Sequence, residues 1–414
     1  IDGQVCDAKE EIEKIIDKVD IIGFSAMTMQ VANSLELTKY IKEKYPNKKI
    51  IWGGIHPSLL PEQTLKNDSI DYICQREGEG CLLDLCNEVP LKDIKNLGYK
   101  ENDKLIINPI REFIDLNKED KPIWDIIDLE NYIKLHKFGP KKGKRAMGVS
   151  VGRGCVFACA YCINSVIGRR WRSLSAQKMF KRIKELKEKY DIGFFTIVDD
   201  CFDVDMKRVK EFCNLLIKNK VKITWEVNVR AGKQWTNEVM KLIKRAGCIL
   251  LCIGAESGSN RVLKEVYNRS VTVEDILYTA RQCKKYDILL ATGWMGGVPN
   301  ETKEEAQQTL DLIKQVVEIH PDTIISGPAP FRPYPNSKLY FEAVKQGYKE
   351  PSSLKEWAEN SNEGYLSEEN LPWVKNPKRI KAIEFYCVNA YRYPINFAHK
   401  VLIWCCRFRL KHNF

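Results

Sequence analysis

Between Asp20 and Glu79, short apolar runs alternate with longer stretches in which apolar residues return every three or four positions. DIIGFSAM (20–27) and KKIIWGG (48–54) read as buried strands, and ANSLELTKYIKEKY (32–45) between them has helical spacing. A helix around Pro61–Leu65, a short strand at Asp71–Cys74 and a helix from Glu79 continue the series. Strands joined through helices of this length imply right-handed crossovers and a parallel sheet. This first unit covers residues 1–90. Residues 91–140 are polar, with KEDKP and GPKKGKR runs, and read as a short hairpin followed by a connecting segment.

A second series begins at Met147. Its strands are MGVSV (147–151), FFTIV (194–198), ITWEVNV (223–229), CILLCIG (248–254), ILLATGWMG (288–296) and DTIISGP (322–328). Helical stretches fall between them at about 175–189, 205–219, 236–246, 272–286 and 301–318. Six such units predict an open or closed parallel barrel over residues 141–340. In barrels of this kind the site is built at the carboxyl ends of the strands. Residues 341–414 carry no strand series and read as a helical extension, interrupted at Pro372–Trp373.

Composition narrows this picture. At 414 residues, 44% hydrophobic and 29% charged, the chain has material for two or three cores and is neither disordered nor of low complexity. The fifteen cysteines exclude a small disulfide scaffold, because the chain is too long for one and the count is odd. The opening IDGQVCDAKEE lacks the basic start and apolar run of a signal peptide. No stretch approaches the roughly 18 uninterrupted apolar residues of a membrane span. A reducing cytoplasm is the expected compartment, where cysteines serve as core residues, catalytic thiols or metal ligands.

GRGCVFACAYCIN (152–164) sets Cys155, Cys159 and Cys162 in a C-x3-C-x2-C spacing directly after the first barrel strand. A loop this tight can turn three thiolates toward one centre, and soft thiolates select zinc, copper or an iron–sulfur cluster. Zinc would want a fourth protein ligand, and no nearby Cys or His supplies one in a standard spacing. Three cysteines on a four-iron cluster leave one iron open for a substrate or cofactor. Three buried thiols and a zinc site remain the alternatives at this point.

The spacing, the aromatic Tyr161 before the last cysteine and the position on the first strand of a partial (βα)6 barrel resemble the radical S-adenosylmethionine (SAM) superfamily. The match covers roughly residues 145–340. The resemblance implies that the three cysteines hold a [4Fe–4S] cluster whose free iron binds SAM, with cleavage of SAM to a 5′-deoxyadenosyl radical. Asp199 and Asp200 stand after the second strand, where the superfamily places its contact to the SAM amino group, although its usual Gly-Gly-Glu is here Asp-Asp. Asn228 and Arg230 end the third strand, and a guanidinium suits the SAM carboxylate. Glu256 and Ser257 of GAES resemble the segment that meets the ribose or carboxylate, and Gly296 and Gly297 would permit close approach near the adenine. Tyr161 completes the SAM-contact set.

Ser25-Ala26-Met27 and Gly53-Gly54, at consecutive predicted strand ends, resemble the S-x-L … G-G half of cobalamin-binding domains. GGIHPSLLPEQTL followed by DYICQREGEG is similar to the cobalamin-dependent (class B methyltransferase-like) branch of radical SAM enzymes. The implied fold is α/β: a TIM-like radical SAM barrel preceded by an incomplete Rossmann-like, flavodoxin-like domain. The family's D-x-H-x-x-G loop has no counterpart here, so the domain reads as lacking its first strand and helix. The cobalamin-contact candidates are Ser25, Met27, Gly53, Gly54 and His56, the last read as fixing its loop and not as the cobalt ligand.

The resemblance implies cobalamin-dependent methyl transfer to an unactivated carbon or a phosphinate phosphorus. The alternatives are a ring-forming or rearranging relative, and a non-catalytic cobalamin-binding or sensing module. An electron donor such as flavodoxin or ferredoxin and a small-molecule or lipid-like substrate follow as partners. Among the other cysteines, Cys248 and Cys252 stand an even number apart on one strand and read as core residues on one face. Cys201 reads as packing near the site. Of the formal charge of +11, residues 375–414 carry +8. FAHKVLIWCCRFRLKHNF reads as a helix capping the barrel, with peripheral membrane contact as the competing reading. Nucleic acid is not expected, since no nucleic-acid module accompanies the charge.

Overall fold

The computed structural model describes residues 1–3, 6–118, 122–135, 143–360, 370–391 and 397–411. The KEDKP and GPKKGKR runs lie partly outside these residues, as do the last three residues of the basic tail. By contact the chain divides into two units, residues 1–114 with 347–370 and residues 115–346 with 371–414.

The first unit opens with α1 (Ala8–Ile15), whose amino end is capped by Asp7. It continues through β1 (Ile21–Ser25), α2 (Val31–Lys44), β2 (Lys49–Gly53), α3 (Ile55–Leu59), α4 (Pro61–Leu65), β3 (Tyr72–Cys74) and α5 (Glu79–Cys86). The β1, β2 and β3 strands are parallel neighbours in that order, with β1 at the edge. Ile50, Ile51 and Trp52 of β2 are buried, as an inner parallel strand requires. The predicted hairpin forms as β4 (Leu97–Glu101) and β5 (Lys104–Ile107). Its two turn residues, Asn102 and Asp103, both have positive φ, the conformation that matches strand twist in a two-residue hairpin. Because β4 pairs with β3, the hairpin extends the first sheet, and this unit continues past Pro90 to Ile114. Ile51, Cys74, Cys81, Ile94, Leu97 and Tyr99 form one core across that junction.

The second unit contains β6 (Lys134–Leu135), β7 (Arg145–Val149), β8 (Gly152–Arg153), α6 (Asn164–Ile167), β9 (Arg172–Ser173), α7 (Ala176–Tyr190), β10 (Phe194–Ile197), α8 (Met206–Lys218), β11 (Thr224–Val229), α9 (Asn237–Arg245), β12 (Cys248–Glu256), α10 (Val273–Lys285), β13 (Leu289–Gly296), α11 (Lys303–Ile319), β14 (Ile324–Pro330) and α12 (Lys338–Lys345). Six parallel strands pair in chain order, β7-β10-β11-β12-β13-β14, and β6 adds antiparallel to β7. Of the two predicted forms the sheet takes the open one, a partial barrel with β6 and β14 as edges. Helices α7 to α12 each begin on a Ser, Thr or Asp whose side chain accepts from the first turn: Ser175, Asp205, Thr236, Thr272, Thr302 and Ser337. Those caps fix where the chain turns back, just beyond the carboxyl ends of the strands.

The expected helical extension does not act as one piece. α13 (Leu354–Asn360) clusters with the first unit, where Trp357 Nε1 donates to Gln63 Oε1 at 2.8 Å. α14 (Pro377–Ala390) and α15 (Phe397–Lys411) cluster with the second unit.

Cys248 and Cys252 are a correction. A bulge between β11 and β12 pairs Trp225 with Cys248 but Glu226 with Leu250, which breaks the period of two. Cys248 therefore lies among Cys213 and Cys283, fully buried, while Cys252 faces the inner cavity.

Candidate functional site

The cysteine loop leaves β7 under tight constraint. Asp199 Oδ1, at the end of β10, accepts from the backbone N–H groups of Val151 and Gly152, both at 2.8 Å. Asp200 Oδ2 accepts from Gly154 N at 3.1 Å. Gly154 has φ +75°, and a Cβ there would lie 2.3 Å from the Arg170 carbonyl oxygen, so only glycine fits. The β8–β9 pair closes the loop at its base. Further along, Ala160 N donates to Tyr267 O at 2.8 Å, Asn268 Nδ2 to Ala158 O at 2.8 Å, and Leu339 N to Ala160 O at 2.9 Å. The loop is thus anchored by two carboxylates at the end of β10, by Tyr267 and Asn268 after β12 and by the first turn of α12.

Cys155, Cys159 and Cys162 all line a cavity of about 430 Å³ at the carboxyl ends of the strands. Tyr161, Asp200, Cys201, Arg230, Glu256 and Arg269 share it, with Thr292 and Ser326 on the far strands. A hydrogen bond with Cys201 pulls the Cys155 thiol down, while burial pushes Cys162 up to about 11. Among the described residues no three His, Cys, Asp or Glu side chains gather as a single metal ion would need. Thiolates that each take a different iron of a cluster need not converge on one point. Three thiols on one wall and cationic and anionic groups on the others fit a cluster together with a zwitterionic ligand. A larger concavity, about 610 Å³ and lined by Arg261, Glu265, Lys338 and Phe341, contains no thiol.

Beside the cysteines stands a buried trio. Tyr161 OH donates to Glu256 Oε1 at 3.0 Å, Arg269 Nη1 lies 3.4 Å from that oxygen, and Arg269 Nη2 donates to Gly254 O at 2.8 Å. Burial pushes the Glu256 carboxyl and the Tyr161 phenol upward. Burial also opposes the charge on Arg269, yet Tyr161 and Glu256 beside it hold its pKa above the usual range. Glu256 has φ +66°, a left-handed backbone costing on the order of 1–3 kcal/mol that its surroundings must offset. Arg230 lies with its guanidinium carbon 3.4 Å from the Phe157 ring centroid and donates to Ser270 Oγ at 2.7 Å.

Four of the eight expected SAM contacts, Tyr161, Asp200, Arg230 and Glu256, line this cavity. The other four do not. Asp199 is 1% exposed and spends its Oδ1 on the loop backbone, with Arg208 3.9 Å from Oδ2. Burial raises its carboxyl to about 6. Ser257 is fully buried, 3.3 Å from Thr309 Oγ1, and joins the strand end to α11. Gly296 and Gly297 admit α14: a Cβ on Gly297 would lie 2.2 Å from Ile380 Cδ1, and Trp373 Nε1 donates to Gly297 O at 2.8 Å. Sequence reasoning missed Arg269. It follows Glu256 by thirteen residues and is brought back to it through a π-helical turn at Val262–Val266, a feature with no spacing signature.

In the first unit, Ser25 and Met27 are exposed at the carboxyl end of β1, beside Gly53 in the register. Gly54, φ +88°, has a backbone reason for its identity, since a Cβ would lie 2.9 Å from Ala26 N. His56 is fully buried, with Nδ1 3.3 Å from Thr28 Oγ1 and its ring edge-on to Trp357. Burial depresses it to about 4. These contacts fix the loop and keep the imidazole away from solvent. Ser25 and Met27 thus face solvent at the carboxyl end of β1, where a bound group could reach them, whereas His56 does not.

The strand order, the cysteine loop and the sheet before it define a class. The chain matches the radical SAM superfamily over residues 149–313 and the B12 binding domain over residues 2–85. It carries a radical SAM domain preceded by a B12-binding domain, and the cofactors of those two domains are a [4Fe–4S] cluster, SAM and cobalamin. It is 28% identical over 361 residues to an uncharacterized methyltransferase of Pyrococcus horikoshii, covering 83% of this chain and 74% of the relative. It is likewise 28% identical over 355 residues to the anaerobic magnesium-protoporphyrin IX monomethyl ester cyclase of Rubrivivax gelatinosus, covering 83% of this chain but only 62% of that one. Among solved structures, the cobalamin-dependent radical enzyme OxsB, with aqua-cobalamin and SAM bound, superposes with TM-score 0.72 at 21% identity. That match covers 99% of this chain and 66% of OxsB. TsrM from Kitasatospora setae gives 0.69 at 15% identity, over 96% and 83%. These two likenesses bear on the fold: a partial barrel with a Rossmann-like domain.

Proposed function

We infer that the chain transfers a methyl group to a carbon or phosphinate phosphorus that ordinary nucleophilic chemistry does not reach. The observation that carries the reading is the joint lining of one cavity by Cys155, Cys159 and Cys162 with Asp200, Arg230 and Glu256. Cys155, Cys159 and Cys162 are assigned as cluster ligands, and Ser25, Met27, Gly53 and Gly54 as the cobalamin contacts. When bound, the cluster supplies the single electron that splits SAM into methionine and a 5′-deoxyadenosyl radical.

The protein's own residues do the rest by position. Asp200 accepts from Gly154 N with one oxygen and offers the other to an ammonium group. Arg230, held flat on Phe157, presents its guanidinium to a carboxylate. Tyr161, locked by Glu256 and Arg269, fills the wall beside the thiols and excludes water there. A wall that excludes water on that side shields a reactive carbon radical from solvent there. The reduced thiols suit a reducing cytoplasm, and the electron is expected from a flavodoxin or ferredoxin.

The cyclase likeness supports a second reading, ring formation without methyl transfer. Incubating the reconstituted protein with methyl-deuterated SAM, reductant, cobalamin and an extract of small metabolites separates the two. Methyl transfer predicts a product that carries the label. Ring formation predicts an unlabelled product short of two hydrogens.

A further inference from the structure

The last helix, α15, has two apolar sides. On one side Ile403 and Cys406 are buried, and Arg407 Nε donates to Ala390 O of α14 at 2.9 Å. On the other, Phe397, Val401, Trp404 and Phe408 are 80%, 46%, 65% and 50% exposed. Steps of four, three and four residues put them in one line along the helix. Trp404 and Phe408 stack with their centroids 5.7 Å apart, so the ridge is continuous at its centre.

Apolar exposure alone would serve any partner, and charge decides between them. Residues 397–411 hold Lys400, Arg407, Arg409 and Lys411 and no Asp or Glu. At 100° per residue, Lys400 and Arg407 border the ridge on one side, and Arg409 lies beyond its other border. All three are exposed. A second copy of this helix would bring like charges together, whereas anionic headgroups attract each cation. No helix among the described residues is long and apolar enough to cross a membrane, so the geometry is that of a helix lying in the interface.

We propose that α15 seats the enzyme on an anionic bilayer, with Phe397, Val401, Trp404 and Phe408 entering the boundary between headgroups and acyl chains and Lys400, Arg407 and Arg409 meeting the headgroups. The test is co-sedimentation of the full chain with vesicles of phosphatidylcholine, alone or with about one-third phosphatidylglycerol. The expected bound fraction is at least about tenfold higher on the anionic vesicles, falling about tenfold in high salt. Trp404→Ser with Phe408→Ser, and separately Lys400→Glu with Arg409→Glu, each reduce it about tenfold. Thermal melting identifies a variant that no longer folds; the charge-reversal pair then carries the test alone. Equal binding to both vesicle types, no binding, or binding untouched by a folded variant overturns the proposal. So does a lipid-free dimer that the serine pair turns into a monomer, which would make the ridge a contact between copies.

Discussion

Arg269 shows how little of a site's electrostatics a linear motif exposes. It is the cation that lets Glu256 and Tyr161 be buried beside the cysteine loop. Removing one partner of a buried pair leaves the other uncompensated, a loss of about 3–5 kcal/mol. Arg269→Met is expected to lose about that much in urea unfolding, and Arg269→Lys to recover part of it. His56 makes the complementary point. Its folded pKa of about 4 lies below the ordinary 6.5, so the unfolded state binds the proton first. Stability is complete above pH 6.5 and falls as the pH drops toward 4, by on the order of 2–3 kcal/mol. His56→Gln should flatten that part of the pH–stability curve, read by denaturant midpoints between pH 7 and 4.5. An unchanged slope would remove His56 from the account. The three cysteines were legible because their spacing is local. Arg269 was not, because a π-helical turn brings it to Glu256.

At the scale of elements, apolar runs located all six barrel strands and the helices between them, since buried parallel strands are continuous apolar segments. What they did not reveal is which face each residue takes after an irregularity. The bulge in β12 turned Cys252 into the cavity while Cys248 stayed in the core. Gly296 and Gly297 failed for a similar reason, because nothing local announces that α14 will rest on them. Gly297 carries φ +68° and Ile380 Cδ1 at 2.2 Å from any added Cβ. Gly297→Ala is therefore expected to cost about 2–4 kcal/mol. Measured in an Ile380→Ala background, Gly297→Ala should lose the steric part and keep the cost of the left-handed backbone, about 1 kcal/mol. No loss in that background would show that φ carries no cost there.

For the whole molecule, the order of units was readable and their extents were not. The β4–β5 hairpin and the 347–370 segment joined the first unit through pairing and packing with partners distant in sequence. Fifteen cysteines resolve into three at a cavity wall with Cys201 and Cys252 beside them, seven buried in the cores, and Cys6, Cys86 and Cys405 nearer the surface. The central claim is that those three hold a cluster that cleaves SAM reductively. The most direct test is to reconstitute the chain anaerobically with iron and sulfide, reduce it with dithionite in the presence of SAM, and measure 5′-deoxyadenosine by mass spectrometry. The expected result is about four irons per chain and steady formation of 5′-deoxyadenosine, with both lost in Cys159→Ala. Full iron loading and undiminished 5′-deoxyadenosine in that variant, or intact SAM with the wild-type protein fully loaded, would contradict it.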